Sequence, residues 1–165
     1  MRHLVGECGM VRREYLMEQI ADAHEITVEK RKNVITITLP HLLPKATRPR
    51  SSEFIIQPLH YALQKHCSEN EVSKFNECTV CFVHIYDENL SLSRIRDYDN
   101  VETRSVLNAV STFLMTDDSG RLCDVFHTTK LGKYSCTQIH IMPKKEFQNF
   151  ILRLENDVKS MSNFA

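Results

Sequence analysis

The sequence predicts an α+β fold: a small mixed β-sheet with helices packed on it. Two observations carry this. Stretches rich in β-branched and aromatic residues at 33–40, 78–86, 121–129 and 135–143 read as strands. Stretches of helical periodicity lie at 10–24, from Pro58 to about Cys67, from Asn100 to near Met115, and after Pro143. The order α-β-α-β-α-β-β-α suits one sheet with helices on its faces. With 165 residues, 42% of them hydrophobic and 25% charged, the chain is expected to form one domain with a real core.

Each element has a local reason. In "MVRREYLMEQIADAH" (10–24), Val11, Tyr15, Ile20 and Ala23 give a rough apolar stripe and nothing breaks a helix. "NVITITLP" (33–40) alternates and stops at Pro40. "PHLLPKATRPRSS" holds three prolines and reads as a loop; it carries Lys45, Arg48 and Arg50. Pro58 suits a first helical turn, with Leu59, Ala62, Leu63 and His66 on one side. "CTVCFVHIY" (78–86) is rich in strand formers, and "DENLSLSR" reads as connecting chain. Asn100 is a good N-cap, Glu102 suits the first turn, and Val106, Leu107, Val110, Phe113 and Leu114 form a buried face. "TDDSG" is a turn. "RLCDVFHTT" and "SCTQIHIMP", joined by "KLGKY", imply an antiparallel hairpin. After Pro143, Phe147, Phe150, Ile151, Leu154, Val158 and Met161 make a helical stripe.

Charge and cysteine usage narrow the function classes. Lys+Arg and Asp+Glu are both 21, so there is no basic excess of the kind nucleic-acid binders usually show, though a local patch is enough for binding. No apolar run is long enough to span a bilayer, and the N-terminus lacks a secretory pattern. A cytoplasmic protein without a membrane partner is therefore expected. The six cysteines read as reduced thiols. Cys78 and Cys81 form a C-x-x-C inside a strand, where i and i+3 point to opposite faces, so buried thiols are favoured over a metal or redox site. His84, His127 and His140 are strand histidines with structural roles; His127 follows Asp124 by three.

The acids around the third helix suggest chemistry. Asp97 and Asp99 lie where extended chain enters a helix, and side chains at i and i+2 project to one side. Asp117 and Asp118 lie past its far end. For a helix of about 15 residues the two pairs are roughly 20–25 Å apart. They meet only if the helix is shorter and the chain folds back, or across a symmetric dimer. Clustered carboxylates are commonly neutralised by a divalent cation, and Mg2+ on acidic oxygens is a usual centre for phosphodiester hydrolysis. The plainer reading is that the acids cap a helix.

The ordered set "DYDN" (97–100), "VLNAV" (106–110) and "DD" (117–118), then a hairpin at 121–142, resembles the RusA-type Holliday junction resolvases, as does "ITITLP" (35–40) upstream. The resemblance covers about residues 33 to 143. It implies a RusA-like nuclease domain at 33–143, an N-terminal helical extension at 1–32, and a C-terminal helix at 144–165 packing on the same domain. It further implies a hydrolase of phages or mobile elements, acting in DNA recombination and repair. This would be a homodimeric, Mg2+- or Mn2+-dependent endodeoxyribonuclease cutting branched DNA. By position, Asp97, Asp99 and Asp118 would be catalytic metal ligands, with Asp117 beside them and Asn100 supporting. Arg104 would stand at the family's lysine, able to hold phosphate but a poor proton donor. Lys45, Arg48, Arg50, Arg94, Arg96, Lys130 and Lys133 are the candidate DNA contacts. The alternative on the same fold is a weak or inactive dimer that binds DNA or a partner.

Overall fold

Unbroken burial of one long strand decides the centre of the molecule. The computed structural model describes residues 25–46 and 53–162. The expected helix at 10–24, Arg48 and Arg50 lie outside the described residues. The strands are β1 (Thr27–Arg31), β2 (Val34–Leu39), β3 (Cys78–Asp87), β4 (Cys123–Gly132) and β5 (Cys136–Pro143). They form a five-stranded sheet in the order β1-β2-β5-β3-β4. β3 is buried over nearly its whole length, with β5 antiparallel on one side and β4 parallel on the other. A strand covered on both faces reads as a continuous apolar run, which is what "CTVCFVHIY" is.

Helices cover both faces. Helix α1 (Glu53–Glu69) and helix α2 (Arg104–Leu114) lie on one face, where Ile55, Leu59, Leu63, Val106, Val110 and Leu114 meet Ile35, Ile37, Val80, Phe82 and Ile139. Helix α3 (Phe147–Ser162) lies on the other, where Phe147, Phe150, Ile151 and Leu154 meet Cys81, Val83 and Met142. Cys78 and Cys81 thus serve opposite cores, as alternation along a strand requires. The α+β class and mixed sheet are as the sequence predicts.

Three elements differ from expectation. β1 is a strand although only Val28 in TVEKR is apolar; it pairs with β2 through the turn Lys32–Asn33, with Lys32 at φ 54°. Helix α1 begins at Glu53, so Pro58 sits inside it. Proline there forfeits one backbone bond, and the buried stripe Ile55, Leu59, Leu63 holds the turn in place. Helix α2 is shorter than expected, because Tyr98–Asn100 form a 3-10 turn instead. Asn100 is therefore not its N-cap. Its carbonyl accepts the Ala46 N–H at 2.9 Å, and Glu102 Oε1 accepts the Ser105 N–H at 3.0 Å and its hydroxyl at 3.1 Å.

The largest correction concerns the expected hairpin. β4 and β5 do not pair with one another; β3 lies between them. Their short connection crosses the end of β3. From Gly132 to Cys136 the chain can reach about 14 Å, enough to span two strand spacings of about 4.8 Å each. The crossing is fastened to β3: the Glu88 N–H donates to the Gly132 carbonyl at 2.9 Å and the Asp87 N–H to Ser135 Oγ at 3.0 Å. A Cβ at position 132 would stand 2.8 Å from Ile85 Cγ2, so glycine is needed for this close approach.

Candidate functional site

The predicted acids do not form one centre. Asp97 and Asp99 are exposed on either side of Tyr98, whose hydroxyl is hydrogen-bonded to Thr129 Oγ1 at 3.0 Å. Asp117 and Asp118 are exposed in the turn after α2. That turn does fold back. With its nitrogen donating, the Asn108 amide meets Asp118 Oδ2 and the Arg104 carbonyl, each at 3.3 Å. The charge of Asp118 is felt by Cys123, whereas Tyr98 sits over Thr129 on the same strand. Cys123 and Thr129 are six residues apart on that strand, roughly 20 Å. Among the described residues no group of three or more His, Cys, Asp or Glu side chains is placed to hold a metal ion. Within the described residues of one chain, Asp97, Asp99, Asp117 and Asp118 are thus not gathered into a metal-holding group.

The predicted cations among the described residues lie on several elements. The Arg96 guanidinium donates to the Leu43 carbonyl, and its backbone N–H donates to the Tyr86 hydroxyl at 3.1 Å. Lys45 forms an isolated β-bridge with Val101. Arg94 ends a 3-10 turn, Arg104 opens α2 exposed, Lys130 lies in β4 and Lys133 follows it.

Strand β4 is the most distinctive exposed element. It ends the sheet, and no other described strand pairs with its outer edge. Its two faces alternate. Val125, His127, Thr129 and Leu131 share the side of α2; Asp124, Phe126, Thr128 and Lys130 share the side of α3. Val125 is 40%, Phe126 45% and Leu131 53% exposed. Phe126 rests on Phe147, with ring centroids 4.2 Å apart. Between Asp124 and Lys130 the sequence VFHTT carries no carboxylate, lysine, arginine or proline. Asp124 is paired with Lys144 at 3.1 Å.

A ring cluster fixes the middle of this strand. Buried His84 on β3 and His127 on β4 are diagonal neighbours on one face, since His127 pairs with Phe82 and His84 with Thr129; their Nε2 and Nδ1 are 3.1 Å apart and their rings inclined by 2°. One ring nitrogen donates and the other accepts, so the accepting imidazole must be neutral. Burial pushes His84 down to about 4, with His127 and Arg96 adding to the effect. Burial also lowers His127. Phe82 stacks on His127 at 5.1 Å and Tyr98 stacks on it at 5.2 Å. The cluster holds β4 flat against β3 and leaves the Tyr98 ring 41% exposed beside the edge. Sequence reasoning treated His84 and His127 as structural strand residues; only their strand register brings them together with Tyr98.

Comparison with known proteins corrects the expected identity. The chain belongs to a family of unknown function, DUF6100, whose model matches residues 1–165. No curated protein matches. Similar solved structures include the periplasmic domain of Helicobacter pylori MotB, at 12% identity and TM-score 0.45, covering 84% of this chain and 92% of that one. They also include the cell wall anchor of the T6SS from Pseudomonas aeruginosa, at 14% identity and TM-score 0.41, covering 78% and 94%. A putative MotB-like protein from Desulfovibrio vulgaris aligns at 13% identity and TM-score 0.38, covering 81% and 94%. At these scores the likeness assigns this chain neither a ligand nor a compartment. The family matched is not that of the RusA-type resolvases, and the aligned structures are described as periplasmic or wall-anchoring proteins, not nucleases. The Mg2+-dependent endodeoxyribonuclease, the role in DNA recombination and repair and the homodimer on branched DNA fall with that resemblance; the cytoplasmic placement, drawn from the lack of an apolar span and of a secretory pattern, finds no support among the aligned structures, which include periplasmic domains.

Proposed function

We propose that the chain is a non-catalytic binding module that takes up an extended segment of a partner polypeptide along the outer edge of β4. One observation carries this reading. β4 is a ten-residue edge strand with half-exposed apolar side chains on both faces and an uncharged, proline-free middle. Natural proteins shorten, charge, kink or cover such an edge, because its unpaired N–H and C=O groups template another strand. Among the described residues those devices are confined to the ends, at Asp124 and Lys130. An added strand would satisfy the outward backbone groups, and its side chains would extend both faces of the sheet. Apolar residues would rest beside Val125 and Leu131 on one face and beside Phe126 and Phe147 on the other. The stack of Phe82, His127 and Tyr98 makes the edge rigid before binding, which lowers the ordering cost.

The test is selection of short displayed peptides on the full chain, followed by calorimetric titration of the winners. Selected peptides should alternate apolar and polar residues. Val125→Lys and Leu131→Lys, both at exposed positions, should each weaken binding by about tenfold, equivalent to 1.4 kcal/mol. Peptides that bind both variants as tightly as the unaltered chain would refute the edge as the site.

A further inference from the structure

At the opposite end of β4 from Leu131, three sulfur atoms meet beneath the turn at 116–122. Cys78 on β3 and Cys123 on β4 are register partners, so both side chains leave the same face of the sheet. Each thiol is close enough to shift the ionisation of the other. The Cys78 thiol also meets Met115 Sδ, at the end of α2, at 3.2 Å. All three residues are buried: Cys78 is 1%, Met115 1% and Cys123 3% exposed. The neighbouring Cys123 thiol and burial push the Cys78 thiol up, while the Cys78 thiol pulls Cys123 down.

We infer that Cys78, Cys123 and Met115 form a binding site for a soft monovalent metal ion, Cu(I) in chemical class. Two thiols and a thioether are a donor set that hard cations avoid and that Cu(I) prefers. Binding is balanced by loss of two protons: two thiols and M+ give a bis-thiolate complex of net charge −1 and two H+. No oxidant or reductant enters. The nearby Lys144 ammonium, held by Asp124 Oδ2 at 3.1 Å and the Arg121 carbonyl at 3.0 Å, offsets that charge. Asp118 and Asp124, both close enough for Cys123 to feel their charge, attract a cation to the entrance. The entrance is the exposed turn at 116–121, tied down by Leu122 and Cys123 N–H bonds to the Ser119 carbonyl, both at 2.9 Å. Sulfurs sharing an ion at metal–sulfur distances of about 2.3 Å stand roughly 4 Å apart. The Cys78–Met115 contact must therefore open by under about 1 Å, which the flexible methionine side chain allows.

The experiment is titration of the reduced full chain with Ag(I), the redox-inert analogue, and with Cu(I) in competition with a chromogenic chelator. Native mass spectrometry counts the ions. One tight ion is expected, lost in Cys123→Ser and weakened about tenfold or more in Met115→Leu, which conserves volume. Cys67→Ser and Cys136→Ser should bind as the unaltered chain does. Should Cys123→Ser fail to fold, X-ray absorption of the loaded unaltered chain decides. Sulfur-only ligation with two short bonds and one longer bond supports the site. Nitrogen ligation, absence of a tight ion, or binding unchanged in Cys123→Ser and Met115→Leu overturns it.

Discussion

Acidification from pH 7.5 to 5.5 should destabilise the fold through buried histidines, by an amount that follows from two of them. His84 and His140 are 1% and 8% exposed, and burial pushes each down from 6.5 to about 4. His140 lies under α3 against Phe150, with Nδ1 3.0 Å from Thr36 Oγ1 and Nε2 buried without a partner. A depressed histidine is neutral in the fold and protonates first in the unfolded chain. Stability is therefore complete above the unfolded value of 6.5 and is lost as pH falls from there towards 4. Between pH 7.5 and 5.5 each histidine costs about 1 kcal/mol, so the pair costs roughly 2–3 kcal/mol. His127 shifts in the same direction and adds to the loss. Most carboxylates titrate below this window and thiols above it, so histidines dominate it. Urea unfolding followed by circular dichroism suits a chain with no tryptophan. His140→Asn should reduce the pH dependence by roughly half the pair's share. A stability that is flat, or that rises on acidification, would refute the neutral buried imidazoles.

Other expectations come from packing and capping. Phe82→Ala removes a fully buried ring that also supports His127 and should cost about 3–5 kcal/mol in urea unfolding. Gly132→Ala drives a Cβ into Ile85 Cγ2 and should cost about 1–3 kcal/mol, read as a lower Tm. Glu102→Ala leaves the Ser105 N–H without its acceptor at the start of α2 and should cost about 1 kcal/mol. Asp97→Asn and Asp99→Asn, both exposed, should change stability by less than about 0.5 kcal/mol, and added Mg2+ should not raise the Tm of the unaltered chain.

Where burial is strong, the pattern of the chain was readable. β3 announced itself as a continuous apolar run, β2 by alternation, and the stripes of α1 and α2 by spacing. β1 was not readable, because an edge strand with one half-buried apolar residue leaves no alternation. The hairpin reading of β4 and β5 failed for a different reason. A short polar link between strands usually joins neighbours, and only the three-dimensional demand of β3 for partners on both edges separates them. That misplacement supplied the hairpin on which the resolvase resemblance partly rested. With α2 ending at Leu114 and starting at Arg104, the acids are turn residues on two separate parts of β4's surroundings. The exposed edge and the sulfur cluster depend on which strands are neighbours. Neither Val125 and Phe126 nor Cys78 and Cys123 carry a sequence signal for it.

Amide hydrogen exchange of the full chain, with and without a selected peptide, tests the edge most directly. The account predicts that roughly half the amides of residues 123–132, those pointing away from β3, become protected on binding while the rest of the sheet is unchanged. Protection confined to another surface, with the β4 amides exchanging as before, would contradict it.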